Sequence, residues 1–338
     1  MEEQILWCDC RVLAHRFSGA LLMLFVLLGT GCASQETSPS LEQSAVFPSY
    51  QGSYASAPIP AEWIPLYQRL RADGLDGPDL PRYFSMMGTP SQDPMGRKIK
   101  ELYTKAFAPK PKPTPSAKPS KPRPKVYPGV ITAENVEKCR AFLAENAAAF
   151  DFAERTYGVP REIAVSLLFV ETRLGTFLGK EKAFYTLASM ASSRQPDDIS
   201  SYLDRLPGAS GRLGWIQERM EQRSDWAYKE FVALLGNVRA SHLDALGVPG
   251  SVYGAIGLCQ FMPSNIAPYG ADGDGDGTVN LFTVPDAVAS LSNYLAMHGW
   301  NKASTRAARH KVIKTYNRID IYANTILGLA EAQGYRAD

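Results

Sequence analysis

Cysteine is scarce: there are five in 338 residues, and only Cys139 and Cys259 lie beyond residue 32. A small disulfide scaffold is thereby excluded. An oxidising compartment would permit a bridge between those two, but nothing in their spacing demands it, and two buried free thiols are expected. An excess of either charge is also lacking. The 36 basic residues against 34 acidic ones exclude the strongly basic surface of a nucleic-acid binder. Apolar runs are short: the one at Ala20–Leu28 has nine residues, whereas a helix that crosses a bilayer needs about 20. The four histidines, His15, His242, His298 and His310, are too dispersed for metalloprotease-type zinc spacing. No repeat of solenoid period is present. With 45% hydrophobic and 21% charged residues, bulk disorder is excluded too, and the length suffices for one large domain or two small ones with a buried core.

What is present begins with an address. Arg11 and Arg16 precede the apolar run, and Gly29-Thr30-Gly31-Cys32-Ala33 follow it. A basic flank, a short apolar stretch and small residues read as an export signal over 1–32. Cys32 makes this signal resemble that of a bacterial lipoprotein, in which the cysteine is acylated and becomes the mature N-terminus. The resemblance implies a membrane contact through a lipid anchor at Cys32. Because Ala33 rather than Asp follows the cysteine, it also implies sorting to the outer membrane, with the rest of the chain in the periplasm.

Composition then divides the chain. Residues 33–61 read as a flexible tether; there are 7 Ser and 4 Pro among the 28 residues 33–60. Residues 62–107 carry Trp63, Leu66, Leu70, Tyr83, Phe84, Met95, Ile99, Tyr103 and Phe107 at roughly helical spacing. They predict two short helices, too few to fold alone and expected to dock on the main domain. Residues 108–127 form a Pro/Lys-rich linker: 108–128 hold 8 Pro and 6 Lys or Arg with no acid. It reads either as a solvated polyproline spacer or as a basic strip for anionic envelope polymers. Residues 128–338 read as mostly α-helical, with apolar residues recurring at helical spacing and little strand alternation.

Chemistry starts with one carboxylate. Pro160 suits a helix start. Seven of the eight residues Ile163–Val170 are apolar, so the segment is buried round most of its circumference. Glu171 follows directly and sits at a core boundary, where desolvation raises a carboxyl pKa. A raised pKa suits a general acid near neutral pH. The competing reading pairs Glu171 with Arg173 or a nearby lysine. A second segment, Gly250–Ser264, mixes glycines and apolar residues with Ser251 and Gln260. It reads as a ligand-approaching loop or as tight helix packing.

Together these segments resemble the lytic murein transglycosylase B family. The resemblance rests on Val170-Glu171-Thr172-Arg173, Gly179-Lys180, Gly257 and Gln260-Phe261-Met262-Pro263-Ser264. It continues through Asp276-Gly277, Asn280-Leu281, Asp286-Ala287, Asn293-Tyr294, His298-Gly299-Trp300, Tyr316-Asn317 and Tyr322-Ala323. It implies a lysozyme-like helical catalytic domain over 128–338 and an enzyme acting on peptidoglycan glycan strands. Such an enzyme cleaves the MurNAc-β-1,4-GlcNAc bond without water and leaves a 1,6-anhydro end. By motif, Glu171 is the single acid/base, and Ser251, Gln260, Tyr294, Tyr316, Asn317 and Tyr322 line the glycan groove. Tyr127 falls one residue off the register of another groove tyrosine. Only 15 residues separate Trp300 from Tyr316, where the family has a long insertion, so a more open cleft or a different preference for chain ends is implied. A second carboxylate could fold nearby, with Glu181, Asp197 and Asp198 as candidates. The alternatives are a hydrolytic muramidase on the same cleft and a non-catalytic peptidoglycan-binding lipoprotein.

Residues 272–279, Asp-Gly-Asp-Gly-Asp-Gly-Thr-Val, follow the first half of an EF-hand-like calcium loop, with oxygen ligands at positions 1, 3 and 5 and Gly at 6. Position 12 is Thr283, and the next carboxylate is Asp286. The resemblance implies a longer loop that closes there, with Asp272, Asp274, Asp276, the Thr278 carbonyl and Asp286 holding a structural Ca²⁺. The plain alternative is a polar Gly-Asp turn. For the signal segment the expectation is direct: labelled palmitate enters the protein through Cys32, and Cys32→Ala abolishes it. Undiminished incorporation in that variant would refute the lipidation site.

Overall fold

A computed structural model describes residues 58–107, 109 and 124–336 of the chain. The export signal, Cys32, most of the tether and most of the Pro-rich linker lie outside the described residues. Helices dominate. Ahead of the linker come α1 (Ile64–Ala72), α2 (Asp79–Met86) and α3 (Asp93–Phe107). After it come α4 (Ala133–Glu145), α5 (Ala147–Tyr157), α6 (Arg161–Thr172), α7 (Ala183–Ser192), the single turn α8 (Ser200–Leu203) and the long α9 (Leu213–Ala240). The single turn α10 (Ile266–Tyr269), α11 (Val284–Met297), α12 (Arg306–Tyr316) and α13 (Asp320–Gln333) complete the set. The one sheet among the described residues joins β1 (Glu181–Lys182) to β2 (Pro249–Gly250), antiparallel, with Glu181 opposite Gly250.

Helix ends follow the local chemistry. Thr132 caps α4 by accepting from the Asn135 amide, and Thr305 caps α12 through Ala308, each satisfying an otherwise orphaned donor. Gly158, at φ 70, ends α5 in the left-handed conformation that glycine adopts without penalty. Pro160 then sits at the N-cap of α6, one residue before the helix proper. As its composition predicts, α6 is buried nearly all round: Ile163 to Phe169 are buried, as are Glu171 and Thr172. α6 lies against α13 and α4, α11 against α5, and α7 along α9.

The segment before the linker enters the same core. Trp63, Leu70, Leu80 and Phe84 have no solvent exposure. The Trp63 ring meets Phe84 at 5.6 Å and Tyr185 of α7 at 6.2 Å. Phe184 and Phe231 continue this aromatic stack across α7 and α9. Arg239 of α9 clamps Asp79 of α2 with two hydrogen bonds of 2.9 and 2.8 Å. The helices on both sides of the linker thus bury one another's apolar faces. Cys139 and Cys259 are both buried free thiols, each pushed up to about 12 by burial, so no bridge joins these two.

Candidate active site

The last turn of α6 carries Glu171 to a point where the chain must reverse. Arg173 (φ 50) and Leu174 (φ 61) make that reversal in left-handed backbone, which few bulky side chains adopt. Thr172 ties the helix end to the loop after β2. Its hydroxyl donates to the Leu258 carbonyl at 2.9 Å and accepts from the Gly175 amide at 3.0 Å. Glu171 is left 6% exposed. One carboxyl oxygen accepts from the Tyr322 hydroxyl of α13 at 2.5 Å. The other is buried with no partner. Burial lifts the carboxyl to about 7, with the Tyr322 bond pulling the other way.

No cation among the described residues holds this acid. Arg173, the partner considered from sequence, instead lays its guanidinium over the Phe169 ring at 5.6 Å. Nor does any of the three candidate second carboxylates join it. Glu181 faces Arg97 at 4.0 Å. Asp198 accepts from the Arg194 and Gln195 amides, and Asp197 lies in the short 3₁₀ turn Pro196–Ile199. Burial and Tyr322 alone set the Glu171 shift.

The predicted site residues fall into two groups. Tyr322, Tyr316 and Tyr127 sit within the electrostatic reach of Glu171; burial and then neighbouring charges, Glu171 among them, raise each phenol. Half-buried Tyr127 is placed by its amide, which donates to Thr325 Oγ1 at 2.8 Å. The turn beyond it is held by Asn135, which donates to the Gly129 and Val130 carbonyls. Tyr294 and Tyr316, expected to line the groove, spend their hydroxyls on main-chain carbonyls, those of Thr315 and Cys259. Their rings pack with each other at 5.0 Å and with Phe261 at 5.8 Å. Tyr316 is within the electrostatic reach of Glu171, and Tyr294 packs against it. Gln260, at φ 50, turns its amide N–H₂ to the Gly257 and Leu178 carbonyls. Ser251 Oγ accepts from the Tyr253 and Ala255 amides and shapes its own loop. Asn317 accepts from the Ile319 amide at the approach to α13. Thr325 and Asn135 escape sequence reasoning because each acts through main-chain bonds, whereas Thr172 lies in the motif that carries the resemblance. The signal available for Thr325 is that it stands three residues from Tyr322, on the same helix face.

The glycine-aspartate loop brings side-chain oxygens of Asp272, Asp274 and Asp276 within 4.8 Å of one another. Asp286 does not join that group. It is 1% exposed, and its two oxygens accept from the Gly273 and Asn280 amides at 2.7 Å each. Thr278 donates its amide and hydroxyl to Asp276 Oδ1. Three close carboxylates with only oxygen donors fit a hard divalent cation, and Asp286 braces the loop from inside.

A helical fold that sets one protonatable carboxyl beside aromatic side chains and a glycine-rich loop defines a class: proteins that carry a buried side chain suited to acid chemistry. The chain belongs to the transglycosylase SLT domain family, whose pattern matches residues 66–309. That match starts within α1, on the far side of the Pro-rich linker from Glu171. The chain is 32% identical over 172 residues to membrane-bound lytic murein transglycosylase B of Escherichia coli (strain K12). The alignment takes in 51% of this chain and 40% of that protein, so it spans well under two thirds of the relative. The fold is similar to that of the soluble lytic transglycosylase SltB1 of Pseudomonas aeruginosa, with a TM-score of 0.57 and 23% identity, covering 81% of this chain and 98% of that one. It is similar also to Escherichia coli Slt35 in complex with calcium, with a TM-score of 0.56 and 22% identity over 81% and 92% of the two chains. The third similar structure is Pseudomonas aeruginosa SltB3 in complex with NAG-anhNAM-pentapeptide, with a TM-score of 0.57 and 17% identity over 80% and 78%.

The raised carboxyl makes stability depend on pH with a definite sign. The unfolded chain releases the Glu171 proton near 4.5, and the folded chain holds it to about 7. Burial of this group is therefore fully tolerated below 4.5 and grows more costly as pH rises to 7. Glu171→Gln removes the titration. Its melting temperature is expected to gain on that of the native chain between pH 4.5 and 7 and to hold that gain above. A difference that stays constant across this range would contradict a raised Glu171.

Proposed function

We propose that this protein is a peptidoglycan lytic transglycosylase that cleaves the MurNAc-β-1,4-GlcNAc bond to leave a 1,6-anhydro-MurNAc end. The observation that carries this reading is the lone carboxyl of Glu171: buried, protonated up to neutrality, with one oxygen held and the other unclaimed. In this reading Tyr322 fixes one oxygen by donation, and the proton resides on the other, facing the leaving glycosidic oxygen. As the bond from C1 breaks, that proton passes to the departing GlcNAc oxygen, and the substrate's acetamido oxygen supports the positive charge at C1. The Glu171 carboxylate then takes the proton of the muramic 6-hydroxyl, whose oxygen bonds to C1. The acid is restored without water entering. A hydrolysing glycosidase ordinarily needs a second carboxylate for that water, and no described carboxylate serves. Tyr127, Gln260, Ser251 and Asn317 shape the cleft, with Tyr294 and Tyr316 behind it.

The substrate in this reading is a glycan strand whose muramic residues carry peptide, as does the ligand of SltB3. The protein would work in the bacterial periplasm, tethered to the outer membrane through Cys32 and residues 33–61. We further infer that Asp272, Asp274, Asp276 and the Thr278 carbonyl hold a structural Ca²⁺. In this reading Asp286 closes the site, since each of its oxygens accepts one amide bond and keeps a further lone pair for the ion.

Incubation of residues 33–338 with purified peptidoglycan, followed by mass spectrometry, tests the reaction. Muropeptides lighter by one water than hydrolytic products are expected, with turnover falling as pH rises through about 7. Glu171→Gln should reduce the rate at least ~10²-fold. Full-mass reducing ends would make the protein a hydrolase, and binding without release would make it a scaffold. For the metal, added calcium should raise the melting temperature and Asp276→Ala should cancel the rise; identical curves in calcium and in chelator would refute the ion.

A further inference from the structure

Seven large apolar side chains are exposed among the described residues, and two of them are aromatic, Phe107 and Phe177. Phe107, the last residue of α3, packs on the Tyr103 and Trp215 rings at 4.8 and 5.0 Å. Phe177 is 52% exposed and meets no other ring and no cation among the described residues. A ring left in water forgoes the burial that would stabilise the fold. Single exposed apolar residues are ordinary on a protein surface, so the position of this one decides its meaning.

That position adjoins the acid. After Glu171 the chain reverses in left-handed backbone, and the Phe177 amide returns to the Thr172 carbonyl at 2.9 Å. The next carbonyl, that of Leu178, accepts from the Gln260 side chain at 3.4 Å. Gly179 then lies against the main chain of Gly250 and Ser251, where a Cβ would stand 2.9 Å from the Ser251 nitrogen. Immediately beyond, β1 pairs with β2 and fixes the register. Residues 177–179 thus run from the end of the acid-bearing helix past Gln260 and Ser251, and each tie is made through their main chain. None of these ties uses the Phe177 ring, and together they hold its backbone at the surface. The other rings around the acid are less open: Tyr294 and Tyr316 are each 6% exposed, Tyr322 is 2% exposed, and Tyr127 is half-buried.

We propose that Phe177 is a sugar-stacking platform on the rim of the Glu171 cleft, its free ring face covering the C–H face of one pyranose of the glycan strand. A pyranose turns ring C–H groups to its flat faces and hydroxyls to its edge. A fixed aromatic ring covers the first and leaves the second to polar neighbours and water. Such a residue touches substrate without moving a proton, and it governs how tightly a strand lies over the acid. The proposal rests on the glycan reading above and adds to it a residue that stands between the Val170–Arg173 and Gly179-Lys180 motifs and belongs to neither.

Calorimetric titration of the Glu171→Gln protein, in which turnover is suppressed, with a peptide-free GlcNAc-MurNAc tetrasaccharide tests this. Phe177→Leu, added to that protein, keeps an apolar side chain but removes the ring face, and it is expected to weaken binding roughly five-fold. Phe177→Tyr keeps the ring and should keep the parent's affinity. The position is exposed, so the melting temperatures of both variants should match the parent's. A Leu variant that binds as tightly as the parent, or a Tyr variant as weak as the Leu variant, would overturn the platform and leave the glycan reading standing. So would a loss of affinity that tracks a fall in melting temperature, which would make the ring a packing residue. Absence of binding in the parent would overturn both.

Discussion

The arrangement depends on one constraint: the carboxyl of Glu171 sits where water cannot solvate its charge. An ionised carboxylate in such a place is costly, and the group responds by keeping its proton. Everything near it serves that condition. α6 is apolar round most of its circumference, so the helix that bears the acid can itself be buried. α13 supplies Tyr322, whose hydroxyl donates to one oxygen and leaves the other open. A cation in that position would lower the pKa and remove the acid function, and Arg173 is turned elsewhere by the left-handed backbone at the helix end.

The loop between β2 and α10 is held by main-chain contacts rather than by side-chain packing alone. Thr172 bonds to Leu258, Tyr316 to the Cys259 carbonyl, and the Ile256 amide to the Phe261 carbonyl. Gly179 approaches so closely that a Cβ there would meet the Gly250 carbonyl oxygen at 1.9 Å, so only glycine fits. Buried Glu230 of α9 accepts both the amide and the hydroxyl of Ser264 and pins the far end. Backbone held at so many points varies little in position, and positional precision is what acid transfer over hydrogen-bond distance requires.

Helices that precede the Pro-rich linker take part in this support. Lys98 of α3, itself buried, places its ammonium 4.6 Å from the Tyr253 ring centre and pairs with Glu101 at 3.1 Å. Tyr253 stands in the turn that Ser251 shapes. The segment ahead of the linker thus packs on α7 and α9 and in return buttresses the loop beside the acid.

Much of this was legible along the chain. The apolar run that ends in Glu171 announced a buried helix with a carboxyl at its edge, because burial round a helix requires apolar residues at every angle. The spacing of Asp272, Asp274 and Asp276 announced a tight oxygen-rich loop, since glycine and aspartate fix such turns locally. The two lone cysteines read correctly as thiols. Hydroxyl orientation could not be read: the Tyr294 and Tyr316 hydroxyls donate to the Thr315 and Cys259 carbonyls, far along the chain. Asp286 looks like a closing ligand, yet it braces two amides. By itself, then, the sequence determined helicity, the buried edge and the local loops, because periodicity and turn chemistry act between near neighbours. Only the tertiary structure decided that Tyr322 rather than Arg173 would meet Glu171, because packing across 151 residues of chain, not spacing along it, chooses which buried polar group finds which partner.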